Sequence, residues 1–564
     1  MIEKDFQNWY EISLSSTERK RWGHFSTPPF LVEQILDVCG YSAEQDLSRL
    51  RVLDPACGGG NFLAGAARRL LLYGQKQGFS ERRIRALLRR NIWGFDVDPV
   101  SCFLAEMQLA RTLEEANVRP SFRWHIHQAD ALAFPWEDTQ NVDLFLANPP
   151  YLAAKNTDLS GYRATHRKGQ LDSYLLFLEL GLRIVRPGGW IGLVVPDALL
   201  ARANAALHRQ QLLQETTIHH IWHLAGVFSA FVGAVVLVAQ KCPPAAHHQI
   251  AWRRSSWHKT MTLLQEQHTS IDVERDELAE CLFSRREMLH GSVSQATLVR
   301  QPGAEFRYLL DVSRNTMIER LHSITCTPRK RSHAPLVLLG ELVSIRRGEE
   351  LSKRNERLLA ACPEEGEYYP VLRGGVDVRP YAPLQAARWL PRHAISKPLE
   401  RYLAPKLLVV KSTGSLQATL DLQGHVVLQT LYCVQLKQPE SSPDGLDALY
   451  YLLALLNSRL LRNYIYVMHS AYKWVQPQLE QHVLRSLPIP WNVGEERDHI
   501  IQLAREMQTA CGAIGAVVEL KEEALYEELE QAIYRLYDAT LHGKQTHYIF
   551  LPQVQNLIAD KGVS

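Results

Sequence analysis

Residues 51–73 read RVLDPACGGGNFLAGAARRLLLY, and this stretch decides the fold. Arg51-Val52-Leu53 is a short β-prone run, and a glycine-rich turn separates it from Phe62–Tyr73, where apolar residues recur at helical spacing. A strand that passes through such a turn into a helix begins a βαβ unit. The stretch therefore predicts an α/β sheet whose first strand ends in a turn that a ligand can approach.

The same alternation continues along the next 190 or so residues. Further β-prone runs lie at 91–97, 122–127, 142–147, 190–195, 218–224 and 234–239, and helical spacing is seen at 101–113 and 174–185. Strands that are separated by helices pair in parallel. We therefore expect a doubly wound α/β sheet in a first domain at 1–245.

The second half of the chain has a different texture. Short β-like runs at 343–345, 369–372, 407–410 and 425–436 are separated by Gly and Pro, a strong helical pattern covers 446–463, and the chain is helical and acidic from about 495. We therefore predict a connecting region at 246–335, an α+β domain at 336–490 and a helical region at 491–564.

The overall charge is balanced, but its distribution along the chain is not. The 564 residues contain 63 Lys and Arg against 60 Asp and Glu, and 46% are hydrophobic, which excludes a disordered chain. Residues 321–411 hold sixteen basic and nine acidic side chains, whereas 495–530 hold three basic and ten acidic ones. A basic stretch of this kind suits nucleic acid, although an ordinary solvated surface is the alternative.

The cysteines and the apolar runs bear on the compartment. Nine scattered cysteines without a C-x-x-C pair indicate a reducing environment. The most apolar run, at 224–239, is shorter than the ~20 residues that cross a bilayer. No signal peptide is visible, so we expect a cytoplasmic protein with no membrane partner.

Unusual residues follow each of the first four predicted strands. Asp54 and the glycine turn follow the first, Asp96 the second and Asp130 the third, and each Asp taken singly would also suit a turn or a helix cap. The fourth strand ends in Asn148-Pro149-Pro150-Tyr151. The Asn148 amide oxygen and the Pro149 carbonyl can both accept from one –NH2 group, and the aromatic ring of Tyr151 can stack on a planar substrate.

With these motifs the chain resembles the γ-class, TaqI-like N6-adenine DNA methyltransferases. The resemblance rests on five segments in the family's order: GHFSTPP at 23–29, DPACGGGNF at 54–62, GFDVDP at 94–99, Asp130 and NPPY at 148–151. It is looser over IRRGEE at 345–350, YPVLRGG at 369–375 and the following recognition-like segments to residue 490. The resemblance implies a class I methyltransferase fold followed by a target-recognition domain.

The resemblance also implies roles for particular residues. Asn148, Pro149, Pro150 and Tyr151 would form the catalytic turn, and the flipped adenine would stack on Tyr151 and on Phe228, for which Phe231 is a rival. S-adenosyl-L-methionine would be the cofactor, and double-stranded DNA the substrate. The implied cofactor residues are Thr27, Asp54, Ala56, Gly58, Gly60, Asp96, Val97, Asp130, Asn148 and Pro150.

Other functions are less well supported by the residues. Pro-Cys occurs nowhere, so C5-cytosine chemistry in its usual form is set aside, and His219, His220 and His223 have too few acidic or thiol neighbours to predict a metal site. Related NPPY enzymes methylate protein glutamine or RNA, and these remain alternatives. A partner-dependent, cofactor-sensing subunit of a defence complex is another, and we expect any restriction activity to come from a separate subunit.

Overall fold

The computed structural model describes residues 26–119, 122–136, 142–152, 157–162, 164–165, 171–224, 233–255, 288–310, 318, 321, 336–351, 355–361, 366–412, 416–438, 445–469, 472, 478–491, 493–511 and 516–542. The chain divides into two compact units, the first ending at residue 311 and the second beginning at residue 312.

The first unit is built on one large sheet. Its strands are β1 (Val52–Asp54), β2 (Ile92–Asp96), β3 (His125–Gln128), β4 (Val142–Ala147), β5 (Val185–Pro196), β6 (Thr217–Leu224), β7 (Ala234–Gln240), β8 (Gln249–Ser255) and β9 (Met288–Ser294). They lie in the order β3-β2-β1-β4-β5-β7-β6-β8-β9.

The pairing of these strands confirms the predicted doubly wound sheet. β1 pairs in parallel with β2 and with β4, and the parallel pairs β2–β3 and β4–β5 extend the sheet on either side. β7 is antiparallel to both β5 and β6. Since the carboxyl ends of parallel strands share one edge, the ends of β1 to β4 meet there.

Helices accompany this sheet along the chain. They are α1 (Pro29–Val38), α2 (Asn61–Lys76), α3 (Glu81–Asn91), α4 (Pro99–Glu115), α5 (Ser173–Ile184), α6 (Ala198–Ala201), α7 (Ala206–Glu215) and α8 (Gln295–Val299). Leu31 of α1, Leu63 of α2 and Leu109 of α4 are buried in one core cluster with Val52 of β1 and Leu144 of β4. The central strands are buried along their length, as expected where helices cover a parallel sheet.

The sheet extends past residue 245, where the sequence predicts the first domain to end. β8 pairs in parallel with β6, and β9 pairs with β8. Neither strand has a clear apolar pattern, because β8 reads QIAWRRS and β9 reads MLHGSVS. Gly291 of β9 lies against Trp252 of β8, so closely that a Cβ there would meet the indole at 2.6 Å. In the sequence, a glycine with this packing role looks like a residue that ends a strand, so Gly291 does not indicate that β9 continues through it.

Within the described residues, the second unit contains three smaller sheets. Its strands are β10 (Leu336–Leu338), β11 (Val343–Arg347), β12 (Tyr368–Leu372), β13 (Arg388–Pro391), β14 (Lys406–Val410), β15 (Ala418–Asp421), β16 (Val426–Val427), β17 (Leu431–Leu436) and β18 (Pro488–Pro490). The sheets have the orders β11-β17-β14-β15, β13-β12-β16 and β10-β18.

The helices of the second unit are short in its first part and long at its end. They are α9 (Leu339–Leu342), α10 (Glu400–Leu403), α11 (Gly445–Asn457), α12 (Arg459–Met468), α13 (Gln481–Arg485), α14 (Glu495–Ala510) and α15 (Ala516–His542). The single helix predicted over 446–463 is wrong, because Ser458 interrupts it and accepts from the Leu461 N–H to cap α12. Across the part of the chain that is described, no helix is both long and apolar enough to cross a membrane.

Candidate cofactor and catalytic site

Two of the three glycines in the turn after β1 are needed there for different structural reasons. Both have left-handed backbones, with φ of +51° at Gly58 and +87° at Gly60. A Cβ on Gly60 would lie 2.9 Å from Cα of Ala105, so this glycine lets α4 pack closely against the start of α2. At Gly58, no atom of the described chain lies within 4 Å of the Cβ position. The turn therefore leaves open space above Gly58 that a ligand can fill.

Asp54, the last residue of β1, is buried, and its Oδ1 accepts from the Ala56 N–H at 3.1 Å. Burial, with a smaller contribution from nearby Asp96, raises the pKa of Asp54 to about 8. A carboxyl in this state becomes charged most readily when a cation is placed beside it. Asp54 thus suits a ligand with a positively charged group.

Asp96 connects the glycine turn to the end of β2. Its Oδ2 accepts from the Gly58 N–H at 2.9 Å and its Oδ1 from the Asp98 N–H at 2.9 Å. Asp98 is the N-cap of α4. A carboxylate oxygen can accept more than one hydrogen bond, so these two main-chain contacts do not by themselves exhaust the acceptor capacity of Asp96. Its neighbour Val97 is 53% exposed and presents an apolar surface at the strand end.

Thr27 lies beside the start of α2. Its carbonyl accepts from the Asn61 side chain at 2.7 Å, and Asn61 accepts in turn from Gln108 at 2.9 Å. The Thr27 hydroxyl is buried and has no hydrogen-bond partner in the described part of the chain. Since a buried hydroxyl without a partner is costly, it fits a polar group of a bound ligand.

Asp130, two residues past β3, is already engaged on both oxygens. Its Oδ1 accepts from the Leu132 N–H at 2.9 Å, and its Oδ2 accepts from the Tyr162 hydroxyl at 2.6 Å. This hydrogen bond raises the pKa of Tyr162 to about 12, so the hydroxyl stays protonated as a donor. Sequence reasoning missed Tyr162, which lies in an unpatterned segment after the NPPY motif.

The Asn148–Tyr151 segment forms a turn directly after β4. Pro149 is buried, whereas Asn148 and Tyr151 are half-buried. The Tyr151 hydroxyl lies 3.4 Å from Oδ1 of Asn148 and donates to the Val194 carbonyl of β5 at 3.3 Å. Burial raises the pKa of Tyr151 above its ordinary value, which keeps the hydroxyl protonated. The turn is thereby connected to the neighbouring strand.

A second anchor of this turn is Ser173, the first residue of α5. Its hydroxyl donates to the Pro150 carbonyl and accepts from the Leu152 N–H at 2.9 Å. Its own N–H donates to the Leu152 carbonyl at 2.9 Å. Ser173 is 2% exposed, so these three bonds are shielded from water. The motif alone gives no signal for Ser173, which lies 22 residues after Tyr151.

The predicted site residues fall into two groups. Hydrogen bonds run from the turn of β1 through Asp96, whose carbonyl accepts from the Ala129 N–H at 2.9 Å, to the segment that carries Asp130. The NPPY turn lies at the same edge, because β4 pairs in parallel with β1. Phe228 and its rival Phe231 lie outside the described residues. The open space at Gly58, the unpartnered Thr27 hydroxyl and the buried Asp54 together fit a ligand with cationic and polar groups.

Two family models match the chain. The N-6 DNA Methylase family matches residues 3–269, which include the whole site, and the TaqI-like C-terminal specificity domain matches residues 370–489. These matches confirm the resemblance that the motifs predict.

Curated relatives agree with the first of these matches. The type II methyltransferase M.VspI of Vibrio sp. (strain 343) is 27% identical over 248 residues, covering 43% of this chain and 53% of the relative. The adenine-specific methyltransferase PglX of Streptomyces coelicolor is 34% identical over 146 residues, covering 23% of this chain and 12% of the relative. The chain thus spans about half, or less, of the length of these relatives.

Solved structures show the same fold at low sequence identity. The type IIL restriction-modification enzyme MmeI, in complex with DNA, is 12% identical with a TM-score of 0.61, and the likeness covers 99% of this chain and 81% of that one. The DrdV–DNA complex is 12% identical with a TM-score of 0.51, covering 90% and 59%. In chain order, the chain thus matches an N-6 DNA methylase domain and then a TaqI-like C-terminal specificity domain.

Proposed function

We propose that the chain transfers a methyl group from S-adenosyl-L-methionine to N6 of an adenine in double-stranded DNA. It would act in the cytoplasm as the modification enzyme of a restriction-modification or anti-phage defence system. The observation that carries the proposal is the Asn148–Tyr151 turn, held by Ser173 at the same sheet edge as the glycine turn. The N-6 DNA methylase domain and the named adenine-specific relative support it.

The cofactor would lie along the carboxyl ends of β1, β2 and β3. S-adenosyl-L-methionine supplies an electrophilic methyl group when it is bound. Asp54 and the Thr27 hydroxyl would bind its methionine end. The positive charge of the ammonium group there would favour the ionised form of Asp54. Ala56, Gly58 and Gly60 would leave room for close approach to the backbone.

Its nucleoside end would lie against the later strand ends. Asp96 would accept from the ribose hydroxyls, as a carboxylate after the second strand does in related nucleotide sites. Asp130 would accept from the adenine amine and is held ready by Tyr162. Val97 and Pro150 would pack on the ring, and the 53% exposure of Val97 is consistent with this role.

The target amine would be activated by two acceptors. The N6 lone pair of adenine is delocalised into the ring, so the amine is a weak nucleophile. Asn148 Oδ1 and the Pro149 carbonyl would accept hydrogen bonds from its two N–H groups and shift the nitrogen toward sp3 geometry. Catalysis then rests on positioning and electrostatics, with no covalent enzyme intermediate.

The adenine must leave the duplex to reach this turn. Flipping costs a few kcal/mol, and stacking on an aromatic ring returns ~1–3 kcal/mol. Tyr151 would stack on one face of the base, and we assign Phe228 to the other. Asn148 and Pro150 would contact both cofactor and base, since the turn lies between them.

The remaining segments would serve recognition. Catalysis would lie in 1–245 and target recognition in 336–490, with 246–335 as the connecting region and 491–564 as a helical region. Strands β8 and β9 of the connecting region extend the catalytic sheet. The specificity-domain match over 370–489 supports the recognition role. Cleavage, where the system has it, would come from a separate subunit.

The experiment is methyl transfer with labelled S-adenosyl-L-methionine to duplex DNA, RNA and protein. We expect label in duplex DNA and its loss in Asn148→Ala, while calorimetry shows cofactor binding retained. Asn148→Asp keeps an acceptor oxygen and should retain more activity than Asn148→Ala. Label on protein glutamine or RNA, with none on DNA, would overturn the proposal. Cofactor binding without transfer to any acceptor would instead indicate a partner-dependent subunit.

A further inference from the structure

A cavity of about 580 Å³ opens in the second unit, apart from every residue of the site described above. Its walls come from Lys411, directly after β14, from Tyr432 of β17, and from the segment 478–485 that ends in α13. The lining includes Lys411, Arg485 and His482, one carboxylate, Glu480, and the neutral side chains of Tyr432, Gln478 and Gln481.

Main-chain and side-chain hydrogen bonds fix the walls of this cavity. The Leu479 N–H donates to the Lys411 carbonyl at 2.9 Å, and the Tyr432 hydroxyl donates to the Leu479 carbonyl at 3.0 Å. The Gln481 amide donates to the Ile345 carbonyl of β11 at 2.6 Å. The segment 478–481 is therefore attached to β11, to β17 and to the residue that follows β14, and the cavity is formed in advance of any ligand.

Lys411 and Arg485 are the Lys and Arg side chains that line this cavity. Within the described residues, neither the Lys411 ammonium nor the Arg485 guanidinium has a hydrogen-bond or ion-pair partner. The Arg485 stem packs on Gly340, where a Cβ would lie 3.0 Å from the Arg485 Cβ. The Glu480 carboxylate, which also lines the cavity, is 3.3 Å from the His482 imidazole.

Charges of both signs lie near Lys411. Burial lowers the pKa of Lys411, and the nearby positive charge of Arg347, at the end of β11, lowers it further. Arg347 donates to the Gln429 side chain at 3.0 Å and lies only 3.9 Å from Glu350. The charged groups near Lys411 are thus Arg347, Glu350 and Glu480, and the cavity is also lined by Arg485 and His482.

We propose that this cavity binds the phosphodiester backbone of the DNA substrate, with Lys411 and Arg485 as the two phosphate-neutralising side chains and Gln478 as a neutral donor. The inference rests on the proposed function. Duplex DNA carries one negative charge per ~1.7 Å of its axis, so it suits unpaired cations at a preformed, open cavity. Phosphate contacts of this kind position a duplex without reading its sequence.

This role has a measurable signature. Each phosphate neutralised by a cation contributes about 0.9 to the slope of log binding constant against log salt concentration. A charge-removing change should therefore weaken binding to all sequences alike and reduce that slope. A base-reading residue would change sequence preference instead.

The experiment titrates a fluorescein-labelled duplex of random sequence with the full chain at several KCl concentrations. Lys411→Gln with Arg485→Gln removes two charges while keeping most of each stem, and we expect the slope to fall by about 2. The matched control is Arg535→Gln, on the acidic helix α15, which should leave the slope unchanged. Melting temperature and cofactor binding, measured on each variant, show that the fold is retained.

The outcomes separate this inference from the proposed function. An unchanged slope in the double variant, while the wild-type chain methylates DNA, overturns the phosphate site alone. Competition by inorganic phosphate, at matched ionic strength and as strong as competition by duplex, also overturns it, because the site would then bind a small anion. A wild-type chain that binds cofactor but neither binds nor methylates duplex overturns the proposed function itself.

Discussion

Ser173→Ala is the substitution that best tests how the catalytic turn is held. The serine hydroxyl bridges the two sides of the turn, because it donates to the Pro150 carbonyl and accepts from the Leu152 N–H at 2.9 Å. Alanine removes both bonds and leaves the Ser173–Leu152 main-chain bond in place. The Asn148–Tyr151 segment should then move relative to β4 without unfolding.

The expected magnitude follows from the burial of these groups. Ser173 is 2% exposed, and the two main-chain groups that lose a partner are only partly exposed. Leaving buried polar groups unsatisfied costs about 1–3 kcal/mol of unfolding free energy. Catalysis should suffer more than stability, because a misplacement of about 1 Å can cost about 100-fold in rate.

The assay compares kcat and KM for methyl transfer with urea unfolding of the same variants. Ser458→Ala is a matched control, since the Ser458 hydroxyl also donates to a carbonyl, that of Leu455 at 2.7 Å, and accepts from a main-chain N–H. We expect similar losses of unfolding free energy in both variants but a fall in kcat only in Ser173→Ala, with the KM for cofactor little changed. Ser173→Thr, which keeps the hydroxyl, should recover part of kcat. Equal kcat values in Ser173→Ala and the wild type would refute the reasoning.

Three further predictions concern the rest of the site. Gly58→Ala should lower the unfolding free energy by about 1–2 kcal/mol, because the backbone there is left-handed, and should also weaken cofactor binding in calorimetry. Gly60→Ala should lower the melting temperature more, because the new Cβ would lie 2.9 Å from Ala105. The reverse order would contradict the roles given to the two glycines. Burial raises the pKa of Asp54 to about 8, so its stabilising contribution is complete below the unfolded pKa near 4 and is lost as pH rises toward 8. Cofactor-free urea unfolding at pH 5 and pH 8 should show a steeper fall in stability for the wild type than for Asp54→Asn, and equal falls would disprove this pKa. Tyr151→Phe keeps the ring and should retain most of kcat, whereas Tyr151→Ala should lose about 1–3 kcal/mol of stacking with the base. Equal losses of kcat in the two variants, measured by steady-state kinetics, would assign the effect to the hydroxyl and not to the ring.

The sequence predicted the sheet and the edge that carries the site because both depend on local patterns. Alternating strands and helices predict parallel pairing, which brings Asp54, Asp96, Asp130 and Asn148 to one edge without knowledge of any contact. The two apolar runs predicted as closing strands are β6 and β7.

What the sequence did not predict depends on contacts between distant residues. Tyr162 reaches Asp130 over 32 positions and Ser173 reaches Pro150 over 23, and neither spacing follows from helical or strand periodicity. The Lys411 cavity joins β14 to a segment about 70 residues later, so only the fold brings its cations together. Ser458 resembles an ordinary helix residue within an apolar run, and its capping role depends on its backbone conformation.

In the proposed function, the Asn148–Tyr151 turn positions the amine of adenine in DNA to receive a methyl group. The most direct measurement is mass spectrometry of nucleosides from duplex DNA that has been incubated with the full chain and labelled S-adenosyl-L-methionine. We expect labelled N6-methyladenine with the wild type and none with Asn148→Ala. Label in N4-methylcytosine or 5-methylcytosine, with N6-methyladenine absent, would contradict it.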